Sequence, residues 1–180
     1  YKEVLESLII TVDYRDHYTK VHSERVAQLA ERLAQKMGLG RKKINTIREA
    51  CYLHDIGKIG IPDAILNKPS RLTPQEFEIM KQHSLIGFNI LKPLDFLREV
   101  SFIVRANHER YDGKGYPDGL KDDQIPLGAR ILCVCDAYVT MRDDRPYKKG
   151  IPHPQALREI IRNKGTQFDP RIVDIFVTLF

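Results

Sequence analysis

Side chains that commonly bind metal ions interrupt the apolar faces of several helical stretches. His22 shares a face with Val26 and Leu29, at spacings of four and three residues, and Asp136 shares another face with apolar neighbours. A buried carboxylate must be protonated, paired or bound to a cation, because an uncompensated charge in a protein core is too costly. Imidazole and carboxylate groups are suitable ligands for divalent cations. The same placement recurs on further stretches, at His54, His83, Asn107 and His108.

Each of these residues also has a purely structural explanation when it is considered alone. A single histidine on an apolar face is more often a core residue with a hydrogen-bond partner than a metal ligand, and Asp136 alone could pair with a buried arginine. The recurrence of such residues on five helical stretches is harder to explain by structure only. The pattern therefore predicts one shared metal centre.

The adjacent residues His54 and Asp55 add a geometric argument. Neighbours on a regular helix diverge by about 100°, so both side chains can reach one metal only where the helix ends. The following segment, Ile56–Gly60, contains two glycines and supplies such an end. A carboxylate at that point can bridge two metal ions, which two-metal hydrolases hold about 3.5–4 Å apart.

The elements that must position these residues are all predicted to be helices. Residues 108–124 are rich in Gly, Asp, Lys and Pro and are predicted to form a loop. Alternating strand patterns are absent, so the sequence predicts an all-α fold, a single bundle of about seven to nine helices. The helical stretches are residues 3–14, 18–37, 42–54, a helix capped by Thr73 with Pro74, residues 84–92, 95–107 and 127–142, and two helices that start at Pro154 and at Asp169 with Pro170.

Composition narrows the class of protein. A chain of 180 residues with 42% hydrophobic residues suits one compact domain over residues 1–180, and the start at Tyr1 suggests a fragment of a longer signalling protein. The net charge of +5 fits an anionic ligand but is too small to indicate a nucleic acid polymer. Three sparse cysteines indicate a reducing, cytoplasmic setting. No apolar run approaches the roughly 18 residues of a membrane span, so no membrane contact is expected from this domain.

Two long segments resemble a known family, the HD-GYP subgroup of the HD phosphohydrolase superfamily. The first is Leu53–Asp63, with the sequence LHDIGKIGIPD, and the second is His108–Pro117, with the sequence HERYDGKGYP. Shorter matches surround them, and the resemblance covers nearly the whole chain. A bare His-Asp pair would be a weak signal, but these segments in this order are very specific.

The resemblance implies an α-helical domain that holds two, sometimes three, iron or manganese ions and hydrolyses cyclic di-GMP to pGpG, to GMP or to both. Asp55 would bridge the metals and act in catalysis. The metal ligands would be His22, His54, Asp55, His83, His108 and Asp136.

The resemblance also implies contacts to the substrate and to partners. Lys58 would contact a substrate phosphate beside the metals, and Arg145 and Lys148 would hold other parts of the dinucleotide. The loop with Tyr116 would form one wall of the pocket, and could meet a GGDEF-type diguanylate cyclase. A regulatory domain would lie in the same polypeptide, outside these residues.

Three positions depart from the family pattern. Asn107 stands where a second histidine is usual, and an amide oxygen is a poorer ligand, so one metal position should be weakened or lost. Val139 replaces a usual aspartate, which removes a possible polar contact in the pocket. Tyr18 stands where members with three metals carry a glutamate. We therefore expect at most two metals, one of them bound loosely.

Two alternative functions remain open on this basis. The departures at Asn107 and Val139 could leave a weakly active or inactive module that binds nucleotide or docks a GGDEF-type partner. The His/Asp set could also belong to an HD hydrolase of another nucleotide. The Gly-Tyr-Pro segment favours cyclic di-GMP over that second alternative.

Overall fold

The computed structural model describes residues 3–4, 7–10, 19–144 and 149–180. Within residues 19–144 and 149–180 there is no β-strand, only one isolated bridge between Lys164 and Phe168. The predicted all-α class is confirmed. The nine α-helices of these ranges are α1 (Thr19–Lys36), α2 (Arg41–Leu53), α3 (Asp63–Leu66), α4 (Pro74–Lys81), α5 (His83–Leu91), α6 (Arg98–Arg105), α7 (Leu127–Arg142), α8 (His153–Arg162) and α9 (Pro170–Phe176).

Short 3-10 turns connect several of these helices. The important one, Ile56–Gly60, follows α2 at the predicted helix end and packs against α5. The stretch predicted as one helix over residues 95–107 is a 3-10 turn followed by α6. Because α6 ends at Arg105, Asn107 and His108 lie beyond the helix.

The core forms where α1, α2 and α7 pack on one another, with α6 against α2. The apolar stripe predicted on α1 is buried, including Val26 and Leu33, and α7 contributes Leu132 from its own buried face. Two of these helices carry His22 and Asp136, and His54 directly follows α2, so the packing that buries the stripes also brings the polar residues together. No helix among the described residues is long and apolar enough to cross a membrane.

Helix starts follow the predicted capping residues. The Thr73 hydroxyl accepts a hydrogen bond from the Glu76 amide, 3.2 Å away, and the Glu76 carboxylate accepts one from the Thr73 amide, 2.7 Å away. This capping box starts α4, the helix that precedes the predicted ligand His83. At α9 the Asp169 carboxylate accepts from the Arg171 amide at 2.9 Å.

Asp169 also ties α9 to α7, because its buried carboxylate accepts a hydrogen bond of 2.7 Å from Arg130. Burial works against ionisation of Asp169, but the hydrogen bonds from Arg171 and Arg130 outweigh it and lower its pKa. We expect Asp169→Asn to lower the free energy of unfolding by about 2–4 kcal/mol at pH 7, since it removes one partner of a buried ion pair. Urea unfolding at a series of pH values measures this.

The pH dependence follows from the sign of that shift. A carboxyl with a lowered pKa stabilises the fold above its ordinary pKa of about 3.9, and this contribution is lost as the pH falls through the folded-state value. The difference between parent and Asp169→Asn should therefore shrink in acid. Asp123, which is exposed and contacts the same two arginines, is the control, and Asp123→Asn should change the free energy of unfolding much less than Asp169→Asn does. An equal loss for Asp169→Asn at neutral and acid pH would contradict the argument.

Candidate metal centre

Three packed helices bring a first group of ligand atoms together. His22 on α1, His54 just after α2 and Asp136 on α7 present ligand atoms that all lie within 4.8 Å of one another. Nε2 of His22 lies 2.9 Å from Oδ1 of Asp136, and Nε2 of His54 lies 3.9 Å from the same oxygen. The two histidines are buried. This group offers two nitrogens and one oxygen to a single cation.

Asp55, His83 and His108 form a second group beside the first. His83 begins α5, and its Nε2 lies 3.0 Å from Nε2 of His108. Asp55 lies between the groups, with Oδ2 3.4 Å from Nε2 of His54 and Oδ1 4.0 Å from Nε2 of His83. The structure thus gathers all six predicted ligands into two adjoining groups, and Asp55 is the residue that faces both.

A hydrogen-bond acceptor lies beside Nδ1 in three of the histidines, and it decides where the proton of the neutral ring can lie. Nδ1 of His54 lies 2.8 Å from the carbonyl oxygen of Cys51, and Nδ1 of His83 lies 2.7 Å from that of Met80. Nδ1 of His22 lies 3.1 Å from a carboxylate oxygen of Asp143. A carbonyl oxygen can only accept, so Nδ1 of His54 and of His83 carries the proton and Nε2 of each neutral ring presents a lone pair to the site. His22 has a carboxylate at both ring nitrogens, so its Nε2 presents a lone pair to a cation when Nδ1 alone keeps the proton.

The charges of the site suit metal ligands. Burial opposes ionisation of Asp55, but the neighbouring His54, Lys58 and His83 lower its pKa well below the ordinary value. The pKa of Asp136 is also lowered, because the hydrogen bond from His22 and the nearby histidines outweigh the effect of burial. Ionised carboxylates are the form that binds metal.

The pKa values of the histidines also suit metal ligands. Burial lowers the pKa of His83, and burial with the nearby His83 ring lowers the pKa of His108 to about 4, so both rings are neutral near pH 7. Burial also disfavours the charged form of His22, but hydrogen bonds to Asp136 and Asp143 outweigh it and raise its pKa. A neutral His22 would aim its Nε2 lone pair at a carboxylate oxygen, so this position attracts a positive charge. The residues present therefore fit divalent metal ions.

Asn107 lies beside His108 and is buried, with 1% of its surface exposed. Neither its amide oxygen nor its amide nitrogen has a hydrogen-bond partner among the described residues. A buried amide without a partner is costly, so a bound ligand or water is expected to complete its bonding. That Asn107 is a weakened or lost ligand stays a prediction.

Lys58 lies in the 3-10 turn after α2, and its ammonium group is 2.8 Å from Oδ2 of Asp55. The Lys58 side chain is 22% exposed and the Asp55 side chain 12%. The cation therefore lies beside the metal ligands and retains access to solvent. This is where a phosphate-binding lysine is needed, although the contact with phosphate remains a prediction.

The predicted wall around Tyr116 lies directly on the metal site. The Tyr116 ring stacks on the His108 ring at 4.9 Å between centroids, and the Tyr116 amide donates to the His108 carbonyl at 3.2 Å. A Cβ at Gly115 would lie 2.3 Å from the Arg110 nitrogen, which explains the glycine by close backbone approach. The Tyr116 ring also makes an edge-to-face contact with the Phe77 ring. The Gly-Tyr-Pro segment thus holds the His108 ring in place.

Glu109 is a residue that sequence analysis did not single out. It is buried, and its carboxylate accepts hydrogen bonds from the amides of Asp118, Gly119 and Leu120 at 2.6, 3.1 and 3.0 Å. These bonds fold the loop back towards the predicted metal ligand His108. The sequence feature that could have pointed to Glu109 is its position next to the proposed ligand His108, in a segment predicted to be a polar loop.

We expect Glu109→Ala to loosen this loop, because three amides lose a charged acceptor. Hydrogen exchange at residues 118–120 should accelerate and the free energy of unfolding should fall by about 2–4 kcal/mol. Hydrogen exchange by mass spectrometry and urea unfolding measure the two effects. Glu99→Ala is the control, because Glu99 is 70% exposed and pairs with Lys42 at 3.7 Å. Unchanged exchange at residues 118–120 would show that Glu109 does not hold the loop.

Arg145 and Lys148 lie outside the described residues, so their predicted contacts with the dinucleotide remain predictions. Val139 is buried in the core, where it packs with apolar neighbours. Sequence analysis missed Asp143, which lies just beyond α7 and contacts His22.

The helical fold and the gathered His and Asp side chains define a class, all-α domains with a buried His/Asp centre. A family model described as "HD domain" matches residues 6–172. The chain belongs to the HD domain family, and the resemblance to its HD-GYP subgroup is confirmed.

Relatives with curated names are similar over nearly the whole chain. One is a "Cyclic di-GMP phosphodiesterase" of Thermotoga maritima, 47% identical, covering 98% of this chain and 49% of the relative. Another is the "Cyclic di-GMP phosphodiesterase response regulator RpfG" of Xanthomonas campestris, 41% identical, covering 96% of this chain and 46% of the relative. The chain therefore spans about half the length of these relatives.

Solved structures share the fold. A cyclic GMP-AMP specific phosphodiesterase of V. cholerae has a TM-score of 0.75 at 19% identity, covering 98% of this chain and 48% of that one. The PgpH HD domain of L. monocytogenes, in complex with cyclic-di-AMP, has a TM-score of 0.68 at 23% identity, covering 96% of this chain and 95% of that one.

Proposed function

We propose that this domain is a metal-dependent phosphodiesterase that hydrolyses cyclic di-GMP to pGpG, to GMP or to both. The observation that carries the proposal is Asp55, whose two oxygens face two adjoining groups of metal ligands, with Lys58 at its side. The relatives from T. maritima and X. campestris, both named cyclic di-GMP phosphodiesterases, support the choice of substrate.

Two divalent ions, iron or manganese, would be held by the two groups. His22, His54 and Asp136 would hold one, His83 and His108 the other, and Asp55 would contact both. When bound, such ions lower the pKa of water and offset negative charge on a phosphoryl group. His/Asp sets accept several divalent metals, so availability in the cell would decide between iron and manganese.

The protein's own residues would orient the substrate and manage its charge. The Lys58 ammonium lies 2.8 Å from Asp55 and can turn to a phosphoryl oxygen that arrives beside it, where it offsets charge as the ester bond breaks. Ionised Asp55 can accept a hydrogen bond and orient the group that donates it. The Tyr116 ring, packed on His108, closes one side of this space and limits the access of water. Arg145 and Lys148 would hold the rest of the dinucleotide.

Signalling context is part of the same proposal. Relatives are about twice as long as this chain, so we propose a regulatory domain in the same polypeptide, a cytoplasmic location and a GGDEF-type cyclase as a possible partner of the Tyr116 loop. These features suit the turnover of a second messenger.

A second substrate class has specific support. A "3'3'-cGAMP-specific phosphodiesterase 2" of V. cholerae is 36% identical over 178 residues, covering 98% of this chain and 34% of the relative. The two ligand groups would act at the phosphate and would not read the bases, so they would serve either cyclic dinucleotide. Base discrimination would depend on residues such as Arg145 and Lys148.

An anaerobic assay tests the proposal. The chain is loaded with Fe²⁺ or Mn²⁺, incubated separately with cyclic di-GMP, 3'3'-cGAMP and cyclic di-AMP, and the products are separated by chromatography. Metal content is measured on the same sample. Conversion of cyclic di-GMP at the highest rate supports the proposal. Faster hydrolysis of 3'3'-cGAMP would change the substrate, and two bound metals without turnover would indicate a binding or docking module.

A further inference from the structure

We propose that Asp143 is a positioning residue that makes His22 a metal ligand, so that metal binding in this chain depends on a carboxylate just beyond α7. The inference rests on the metal centre of the proposed function and adds a residue to it. One carboxylate oxygen of Asp143 lies 3.1 Å from Nδ1 of His22, and the other ring nitrogen, Nε2, lies 2.9 Å from the ligand Asp136. The imidazole of His22 therefore lies between two carboxylates.

This arrangement differs from that of the other histidines. His54 and His83 each donate from Nδ1 to a carbonyl three residues earlier in the chain, so their tautomers follow from local helix geometry. The partner of His22 is 121 residues away in the sequence. Without that carboxylate, nothing in the described contacts of His22 reserves the proton for Nδ1, and Nε2 could carry it instead. A protonated Nε2 cannot bind a metal ion.

Charge adds to the effect on the tautomer. A carboxylate that accepts from a ligating histidine fixes the ring and raises the basicity of the nitrogen that binds the metal. A backbone carbonyl can fix the ring but carries no net charge. His22 should therefore be the histidine of the first group whose affinity for metal depends most on its outer partner.

Asp143 is itself held in orientation from two sides. Its amide nitrogen donates to the carbonyl of Val139 at 2.9 Å, which ends α7, and its second oxygen pairs with Arg25. Arg25 lies on α1, three residues after His22. The Asp143 side chain is only 15% exposed, so the contact with His22 is shielded from solvent. Each oxygen of Asp143 has its own partner on α1, which fixes the oxygen that faces His22.

Metal affinity and the His22 tautomer are the readouts that test this role. Mn²⁺ affinity is measured by competition with a chelator, and the protonated ring nitrogen of His22 is identified by ¹⁵N NMR on the metal-free, diamagnetic protein. We expect Nδ1 of His22 to be protonated in the parent, with Asp143 as its acceptor. Asp143→Ala should weaken Mn²⁺ binding at one site by about 10- to 100-fold and populate the Nε2–H form. Asp143→Glu should recover part of the affinity.

Control variants separate positioning from a structural role. Asp144→Asn changes the neighbouring exposed carboxyl, whose Oδ1 accepts from Gly150, and should leave Mn²⁺ affinity and the His22 tautomer unchanged. Arg25→Gln keeps Asp143 in place as an acceptor and should weaken binding by less than Asp143→Ala does. If Asp143→Ala does not fold, the isosteric Asp143→Asn decides, because it loses the charge but not the shape.

Several outcomes would overturn the inference. Parental Mn²⁺ affinity in Asp143→Ala would do so, as would a His22 ring in the metal-free parent whose Nδ1 carries no proton. A lower melting temperature with unchanged affinity would reduce Asp143 to a structural residue. None of these measurements uses a nucleotide. Failure of the parent to hydrolyse cyclic di-GMP would therefore count against the proposed function and leave this inference standing.

Discussion

Replacing Asp55 with alanine is expected to abolish hydrolysis of cyclic di-GMP and to remove at least one bound metal ion without unfolding the helical domain. One oxygen of Asp55 faces His54 at 3.4 Å, and the other faces His83 at 4.0 Å. No other described carboxylate faces both ligand groups in this way. We expect kcat to fall on the order of 10³-fold or more, because both the metals and their spacing depend on this side chain.

Activity, metal content and circular dichroism should be measured on the same Asp55→Ala preparation. Asp55→Asn is an informative second variant, since its amide oxygen keeps the shape but offers no charge to a shared cation. Asp95→Ala is the matched control, because Asp95 is 88% exposed and should change none of the three readings. Full metal content with parental turnover in Asp55→Ala would show that the two groups act without a shared carboxylate.

Much of this site could be predicted from sequence because helical periodicity places residues on faces. His22 and Asp136 stood on apolar stripes, and the packing of α1 against α7 that buries those stripes also brings the two side chains to 2.9 Å. The end of α2 was also predicted from the sequence, because Ile56–Gly60 contains glycines that stop a regular helix. Helical periodicity thus predicted the candidate ligands, and burial of the apolar stripes explains why those ligands lie close together.

The residues that hold the ligands in place could not be predicted in the same way. Glu109 binds three amides of an irregular loop, and Asp143 reaches His22 across 121 residues. Neither contact follows from a period of 3.6 residues, because Glu109 joins two parts of one loop and Asp143 lies just beyond one helix and contacts another. Charged residues in loops are usually solvated, so composition gives no reason to single them out. Their roles became visible only with the tertiary contacts.

Gly57→Ala is the substitution from which we expect the largest loss of stability. A Cβ at this position would lie 1.8 Å from the His83 carbonyl oxygen and 2.5 Å from the Gly87 nitrogen, both backbone atoms that cannot rotate away. The 3-10 turn and α5 would have to separate. Overpacking of this kind costs about 3 kcal/mol or more, and urea unfolding of the metal-free protein measures it.

Gly40→Ala is the matched control, because a Cβ at Gly40 meets nothing within 4 Å. Gly40 precedes α2 without a side-chain cap, so its replacement should cost under about 1 kcal/mol. A Gly57→Ala protein as stable as Gly40→Ala would mean that the turn and α5 can part without cost. Any such freedom would be incompatible with a fixed distance between Asp55 and His83.

The same contact links stability to metal binding. Asp55 immediately precedes the turn that contains Gly57, and His83 begins the helix against which that turn packs, so separating the two elements also separates two proposed ligands. Bound metal stabilises a protein by an amount that rises with the logarithm of its affinity for the folded state. We therefore expect Mn²⁺ to raise the melting temperature of the parent and of Gly40→Ala by the same amount, and that of Gly57→Ala by much less. An equal rise in all three would show that the close approach at Gly57 serves packing alone and that the metal centre tolerates movement of α5.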